Sequence, residues 1–531
     1  MENVSRKSEG AIAMNLTDIK KDWDLIVVGG GVTGAGIFRE AVRMGLRTLL
    51  VEKQDFAWGT SSRSSKMVHG GLRYLKEGKP LLTRASVRER QRLLNEAPGL
   101  IDPLGFLMPL FTDRSPSKKI MGIGLMVYSL MALEKQHVGY SAAEMTRRIP
   151  FLRQHHLAGG FYFKDAQVDD ARLVLRLINE TIAVGGCAVN YAGVREILRD
   201  RQGNVSGVTV KDTLTGQEAE LRTRAVINAT GAWAETLQPS PQHGLHLRPL
   251  RGSHLIFPKD LFPVDSVVSF MHPADKRPVF MFPWEGVAIL GTTDIDHDQD
   301  MNLNPAISTA EADYLMEGIK FIMPDLPLKK SDAIATIAGV RPVLSTGHKA
   351  ASQESREHVV WKNNGLVTVT GGKLTTFRLL ARDALKEAGE YLPKQTLPPD
   401  REPVFTTPKQ RQDLPASIAP DTRRRLYGRY GQQADPILDY CLKNTAETIP
   451  ETNILWGEVI HAARSEQVRR LTDLLLRRVR LGLVARDGGS AHLEKIGSLC
   501  RSSLGWDETR WQTEKNHYLE TWKKYYGPPV G

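Results

Sequence analysis

The segment from Asp24 to Lys53 constrains the fold more than any other part of this chain. An apolar run, Asp24-Leu-Ile-Val-Val28, leads straight into Gly29-Gly-Gly-Val-Thr-Gly34, and a second apolar run ends on Glu52. Strand, glycine turn, helix, strand and terminal acid in this register answer the separate demands of an ADP-containing ligand. Gly29 permits the tight turn, Gly31 lets backbone N–H groups approach a pyrophosphate, and Gly34 lets the following helix, about Gly34 to Met44, lie close to the sheet. The positive end of that helix faces the phosphates. Glu52, about 20 residues on, suits a ribose 2′-hydroxyl and repels a 2′-phosphate. The segment therefore predicts FAD or NAD and excludes NADP.

A chain of 531 residues exceeds what one core normally holds and implies two or three domains. Cys187, Cys441 and Cys500 are scattered without metal-ligand spacing, which argues against a metal centre or a disulfide framework and for a reducing cytoplasm. Residues 1–23 are polar and mixed in charge, without the apolar core of a signal peptide, and are expected to form a flexible extension. The net charge of +11 calls for an anionic partner. No nucleic-acid-binding motif accompanies it, which leaves an anionic membrane or substrate. The longest apolar run, Ile120 to Leu133, is shorter than the ~20 residues that span a bilayer. It reads as a core helix preceded by solvated lysines, or as a helix lying in a membrane face.

Beyond Glu52 the pattern leaves that of a nicotinamide dehydrogenase. Gly59-Thr-Ser-Ser-Arg-Ser-Ser-Lys66-Met-Val-His69-Gly70-Gly71-Leu-Arg73-Tyr74 is dense in hydroxyls, glycines and bases that can reach phosphates and a reacting centre. Asp169-Asp170 can cap a helix over Ala171 to Ala183, which Gly185-Gly186 stops. Cys187 to Ile227 reads as a β-meander, closing on the strand and small-residue turn Ala225-Val-Ile-Asn-Ala-Thr-Gly231. Antiparallel strands are expected between Arg248 and Arg341, followed by Gly339-Val-Arg341-Pro342. Gly365 to Thr376 then repeats the strand, glycine turn, helix arrangement and offers a second anion-ready turn.

In order along the chain, GGGVTGAG, TSSRSSKMVHGGLRYL, VDDARLV, NATGAW, GSH, GTTD, GVRP and GGKLTT resemble the FAD-dependent glycerol-3-phosphate dehydrogenases of the D-amino-acid-oxidase-like flavoproteins, from Asp24 to about Arg382. The remainder, from Arg401, resembles the family's helical C-terminal domain more loosely. The resemblance implies an α/β fold. A discontinuous FAD-binding Rossmann-type domain (about 24–80, 165–240 and 340–395) carries a mainly antiparallel β substrate domain (about 81–164 and 241–339). A helical C-terminal domain follows over 396–531. It also implies oxidation of sn-glycerol 3-phosphate to dihydroxyacetone phosphate, hydride transfer to FAD, a membrane quinone as electron acceptor, and a protein peripheral on the inner face of the cytoplasmic membrane. A homodimer is compatible with it.

Carried over position by position, the resemblance assigns cofactor contacts to Gly29, Gly31, Gly34, Glu52, Thr60, Ser61, Ser64, Ser65, Lys66, Gly70, Gly71, Asp294, Gly372, Lys373, Leu374 and Thr375. Arg73, Arg341 and Lys373 suit a phosphate dianion, since guanidinium forks bind it bidentately and a lysine adds a point charge. Tyr74 is expected to orient the substrate. His254 and His69 are the alternatives for the base that takes the hydroxyl proton, and Arg341 would stabilise an alkoxide rather than accept a proton. Arg63 stands where several relatives carry a small residue. An oxidase that passes electrons to O₂ and an amine or amino-acid oxidase of the same superfamily remain as alternatives. Glu458 to Arg480 reads as one helix with a solvated basic face, or as a membrane or dimer contact.

Overall fold

The computed structural model describes residues 16–76, 78–113, 117–132, 137–238, 246–345, 358–415, 418–444 and 446–529. The opening fingerprint folds as its pattern demands: strand Leu25–Val28, helix Val32–Arg43, strand Thr48–Val51. All eight strand residues are buried, because a parallel sheet is covered on both faces. The sheet has six strands in the order His358–Asn363, Leu366–Gly371, Val226–Asn228, Leu25–Val28, Thr48–Val51 and Cys187–Val189. All neighbours are parallel except the edge strand His358–Asn363. Four of these strands come from beyond residue 180, so the α/β domain is discontinuous in sequence. Helix Asp170–Ala183 is capped by Asp169, whose side chain accepts from the Arg172 N–H, and the next antiparallel strands are Ala192–Arg199, Val205–Asp212 and Glu218–Arg222.

A second, mainly antiparallel sheet of ten strands carries Met67–Val68, Ile101–Phe111, Leu157–Val168, Leu247–Pro258, Val287–Gly291 and Ala335–Leu344 among others. Its register sets His254 opposite Gly291 on one side and Ile337 on the other, with Leu250 opposite Arg341. The first C-terminal helices pack a small cluster of their own around Leu426, Ile437 and Leu438, while the later ones share the core of this sheet. Phe106, Ile289 and Ile337 of this sheet belong to one buried cluster with Trp456, Leu474, Leu475 and Trp511.

Three expectations change. The extension is packed from Leu16 onward: Leu16 and Ile19 are buried, and Arg222 N–H donates to the Lys21 carbonyl; residues 1–15 lie outside the described residues. The apolar run forms helix Lys118–Ala132, yet only one side is core, with Leu125 and Tyr128 buried while Ile120, Ile123, Met126 and Leu130 are 50–68 % exposed. The segment from Glu458 is not one helix. It breaks after Ser465, resumes at Leu471, passes through a π-helical turn, Leu474–Arg478, and ends at Arg480 with φ +64°. Arg477, Arg478 and Arg480 are buried rather than solvated, because their guanidiniums meet carboxylates of the α/β domain.

Candidate active site

The glycine turn is packed with almost no tolerance. A Cβ on Gly34 would stand 1.8 Å from the Gly29 carbonyl oxygen, and one on Gly29, at φ +109°, would lie 2.7 Å from the Ala229 carbonyl. Gly31 precedes the helix, and Ser61 Oγ accepts from the Val32 N–H at 2.9 Å. At the end of the second strand, Glu52 is fixed by the N–H groups of Gly30 (2.7 Å) and Gln54 (2.8 Å). Burial raises its pKa against those hydrogen bonds. A carboxylate with oriented but insufficient compensation is suited to a further donor such as a ribose hydroxyl.

These residues line a cavity that Gly29, Gly31, Glu52, Thr60, Ser61, Ser64, Gly372, Lys373 and Leu374 share with Trp58, Val194, Trp233 and Pro342. Its glycine cradle, its hydroxyl-rich wall and Glu52 fit a dinucleotide. Trp58 and Trp233 were not among the predicted contacts. Their rings lie 5.8 Å apart, with Lys53 Nζ 5.2 Å above Trp233. The aromatic beside Gly59 and the last residue of the NATGAW motif were the available signal. Gly34→Ala is expected to yield protein that retains at least tenfold less flavin, because its new methyl group meets backbone. Gly124→Ala, on an open helix face, is the control; the ratio of flavin to protein absorbance after purification compares them.

Beyond the cavity the structure gathers a second set. Thr60 Oγ1 donates to the Val340 carbonyl at 2.5 Å, tying the hydroxyl-rich loop to the strand that carries Arg341. Arg341 donates to Asp294 (2.7 Å) and Thr292 (3.0 Å), and Arg277 also meets Asp294 at 3.1 Å. Asp294 is therefore the counter-ion of two arginines. His254, 1 % exposed, has Ser65 Oγ 2.9 Å from its Nε2. Burial, together with the charges of Arg341 and Lys66, pushes its pKa down to about 3, so the ring is neutral.

The His69-Gly70-Gly71 turn is held from two sides. Thr375 Oγ1 bridges the backbone N–H and carbonyl of His69 at 3.2 Å each, and Gly70 N–H donates to Asp165, which also accepts from Arg90 and Tyr128. Gly71, at φ +78°, leaves space that a Cβ would take from the Tyr74 ring. Lys373 Nζ lies 4.0 Å from the centroid of that ring and 2.6 Å from Ser86 Oγ. The backbone of Arg73 is helical, but its side chain lies outside the described residues.

Lys66 is placed differently from a phosphate ligand. It is fully buried at φ +56°, and its ammonium is spent on Asp170 (2.8 Å) and the Ser62 carbonyl (2.7 Å). Its charge therefore supports the loop from behind, although Ser64 from the same turn does face the cavity. Arg63 is also buried, with its Nε donating to the Trp58 carbonyl.

Comparison with known proteins agrees with this geometry. Residues 24–401 match the family model described as FAD dependent oxidoreductase, and 381–511 match the C-terminal domain of alpha-glycerophosphate oxidase. The chain is 34 % identical to the aerobic glycerol-3-phosphate dehydrogenase of Bacillus subtilis over 87 % of its own length and 88 % of that protein. It is 33 % identical to glycerol-3-phosphate dehydrogenase 2 of Mycobacterium tuberculosis over 94 % and 88 %. The solved structure of the Bacillus halodurans glycerol-3-phosphate dehydrogenase complexed with FAD superposes with a TM-score of 0.76 at 26 % identity, covering 96 % of this chain and 97 % of that one. Matched by these relatives over most of its length, the chain belongs to the FAD-dependent oxidoreductases, in the family of the FAD-dependent glycerol-3-phosphate dehydrogenases.

Proposed function

We propose that the chain oxidises sn-glycerol 3-phosphate to dihydroxyacetone phosphate and passes the electrons to a membrane quinone. The carrying observation is the neutral His254 beside Arg341 on adjacent strands, at the edge of a cofactor cavity that Pro342 and Lys373 line. Oxidising a carbinol removes a hydroxyl proton and a hydride, and FAD, when bound, supplies the hydride acceptor. The imidazole of His254, neutral through its burial, is the first candidate to take the hydroxyl proton, although the same depression to about 3 makes it a weak base. Arg341 and Lys373 bind the phosphate and Tyr74 orients the carbon chain; Arg73 belongs to the same set by sequence position. His69 sits on the turn clamped by Thr375 and Asp165 and is the second candidate for the base. The cofactor region is assembled from about 24–80, 165–240 and 340–395, and the substrate region from the sheet segments between them.

The acceptor belongs to the same proposal. No helix among the described residues is long and apolar enough to cross a membrane. Ile120, Ile123, Met126 and Leu130 nevertheless form an exposed apolar stripe on a helix that begins Lys118-Lys119, in a chain of net charge +11. An apolar stripe with a basic end supports docking on the anionic inner face of the cytoplasmic membrane, where a quinone is reached. An oxidase is the second reading, favoured by the family description matched over 381–511. Turnover in air with a ubiquinone analogue separates the two, and rapid stoichiometric peroxide would reject the quinone.

The substrate is tested anaerobically. Glycerol 3-phosphate is expected to bleach the flavin absorbance, whereas glycerol and a D-amino acid leave it unchanged; no bleaching rejects the substrate. Lys373→Met and Arg341→Leu are each expected to lower kcat/KM by about 10–150-fold, the worth of one charged hydrogen bond, with FAD still bound. Unchanged kcat/KM in both removes the phosphate assignment.

A further inference from the structure

The buried charges behind the flavin-side loop join the C-terminal region to His254. Arg480, 2 % exposed and in the left-handed region, sends Nη2 to the Ser62 carbonyl (3.0 Å) and to Asp170 Oδ1 (2.9 Å), while its Nη1 donates to the Leu476 carbonyl (2.9 Å). Asp170, fully buried, accepts at Oδ2 from the Ser64 N–H (3.0 Å) and the Ser64 hydroxyl (2.7 Å). Lys66 Nζ completes the cluster by binding the same two acceptors as Arg480, the Ser62 carbonyl and Asp170. The Lys66 N–H donates to Ser64 Oγ at 3.1 Å. Ser65 is thus held on both sides, by Ser64 on Asp170 and by a left-handed Lys66 whose ammonium is anchored. Its hydroxyl meets His254 Nε2 at 2.9 Å.

We propose that Arg480 is a positioning residue for His254: by gripping Asp170 and the Ser62 carbonyl it fixes the Ser64-Ser65-Lys66 turn, so that Ser65 presents its hydroxyl to the imidazole. Two cations, Lys66 and Arg480, face two carboxylates, Asp169 and Asp170, in the buried cluster, with Arg480 Nε 3.5 Å from Asp169. Opposite charges are thus paired within the cluster. Lys66 and Arg480 also both approach the Trp284 ring, at 5.5 and 5.6 Å from its centroid. The guanidinium at 480 reaches a third acceptor that the Lys66 ammonium does not, the Leu476 carbonyl through Nη1, while Nη2 holds the Ser62 carbonyl and Asp170.

The inference rests on the proposed role of His254 in glycerol 3-phosphate oxidation, and a double-mutant cycle between Arg480 and Ser65 tests it. FAD-loaded full-length wild type, Arg480→Met, Ser65→Ala and the double variant are compared for the anaerobic rate of flavin bleaching by glycerol 3-phosphate. Each single variant is expected to slow bleaching by about 2–30-fold, and the double variant to be no slower than the worse single, since both act through one contact. Arg480→Lys is expected to recover part of the rate, and it carries the same comparison if Arg480→Met does not fold. Independently, carbethoxylation of His254 by diethylpyrocarbonate, read by peptide mass spectrometry without substrate, is expected to accelerate to a similar degree in Arg480→Met and Ser65→Ala. Losses that multiply in the double variant, or a His254 modification rate unmoved by Arg480→Met, overturn the positioning role. Absence of bleaching in the wild type would overturn the substrate instead, while the carbethoxylation rates still decide the positioning.

Discussion

His254→Gln is expected to lower kcat by about 10²–10⁴-fold, the usual contribution of a positioned general base, while FAD stays bound. FAD should remain because His254 is not part of the cavity lining; its ring stands between Ser65 and the Gly291 strand. Steady-state turnover and flavin content measured on one preparation check both halves. A kcat within threefold of wild type, with a large loss in His69→Gln, transfers the role to His69. The pH profile adds a second reading. His254 is held neutral down to about pH 3 by its burial and by the cations Arg341 and Lys66. Its free-enzyme kcat/KM should therefore lack the ordinary histidine inflection near pH 6.5, leaving only the second phosphate ionisation of the substrate near about pH 6. The same depression has a sign for stability. Between about pH 6.5 and pH 3 the unfolded chain binds a proton at this position that the folded chain refuses, so stability falls as pH falls through that window. The His254→Gln protein should lose that part of its acid sensitivity.

Arg478→Met is expected to cost about 3–5 kcal/mol of stability, the penalty for leaving a buried carboxylate without its main partner. Asp55 is fully buried and is held by Arg478 through Nη1 (2.6 Å) and Nη2 (2.7 Å), with Arg477 as a second cation. Although burial opposes ionisation, the two guanidiniums hold the Asp55 pKa at about 2. Wild-type stability from this group is present above its unfolded pKa and is lost only as pH falls toward 2. Without Arg478 the Asp55 pKa rises, so the variant's deficit should shrink at pH 5 relative to pH 8, when protonation removes the stranded charge. Arg478→Met/Asp55→Asn should recover much of the loss. Denaturant unfolding at the two pH values provides the measurement, and a deficit that does not depend on pH rejects the account.

The cofactor half of this site was legible because its requirements are local. A turn that must pass a helix over a carbonyl at Gly29 can be read from three glycines, and a carboxylate one residue past a strand can be read from Glu52. The anion-ready turn at Gly371–Lys373 follows from the same logic. What sequence did not reveal depends on contacts hundreds of residues apart. The resemblance assigns Lys66 a cofactor contact, whereas the placement of Asp170 shows that its ammonium is already matched by a buried carboxylate. Arg477, Arg478 and Arg480 looked solvated because arginines between leucines fit an amphipathic helix, whereas all three are buried, the first two on the π-helical turn and Arg480 in the left-handed residue after it. The helix Lys118–Ala132 had the composition of a core element, and its exposed stripe follows from which side the sheet covers.

The long reach of those arginines bears on how the protein is made. Asp55 meets Arg477 and Arg478 across separations of 422 and 423 residues, and Ser62 meets Arg480 across 418. At about 5–20 residues per second, a ribosome delivers these partners roughly 20–80 s after the loop they secure. The glycine cradle of Gly29 to Gly34 is synthesised early, but it can close only around strands at Val226 and Leu366, and its neighbouring loop is pinned only after Arg480 emerges. Flavin capture in this chain is therefore expected late in biosynthesis, since a nascent chain truncated before Arg477 presents Asp55 and Asp170 without the C-terminal cations that meet them.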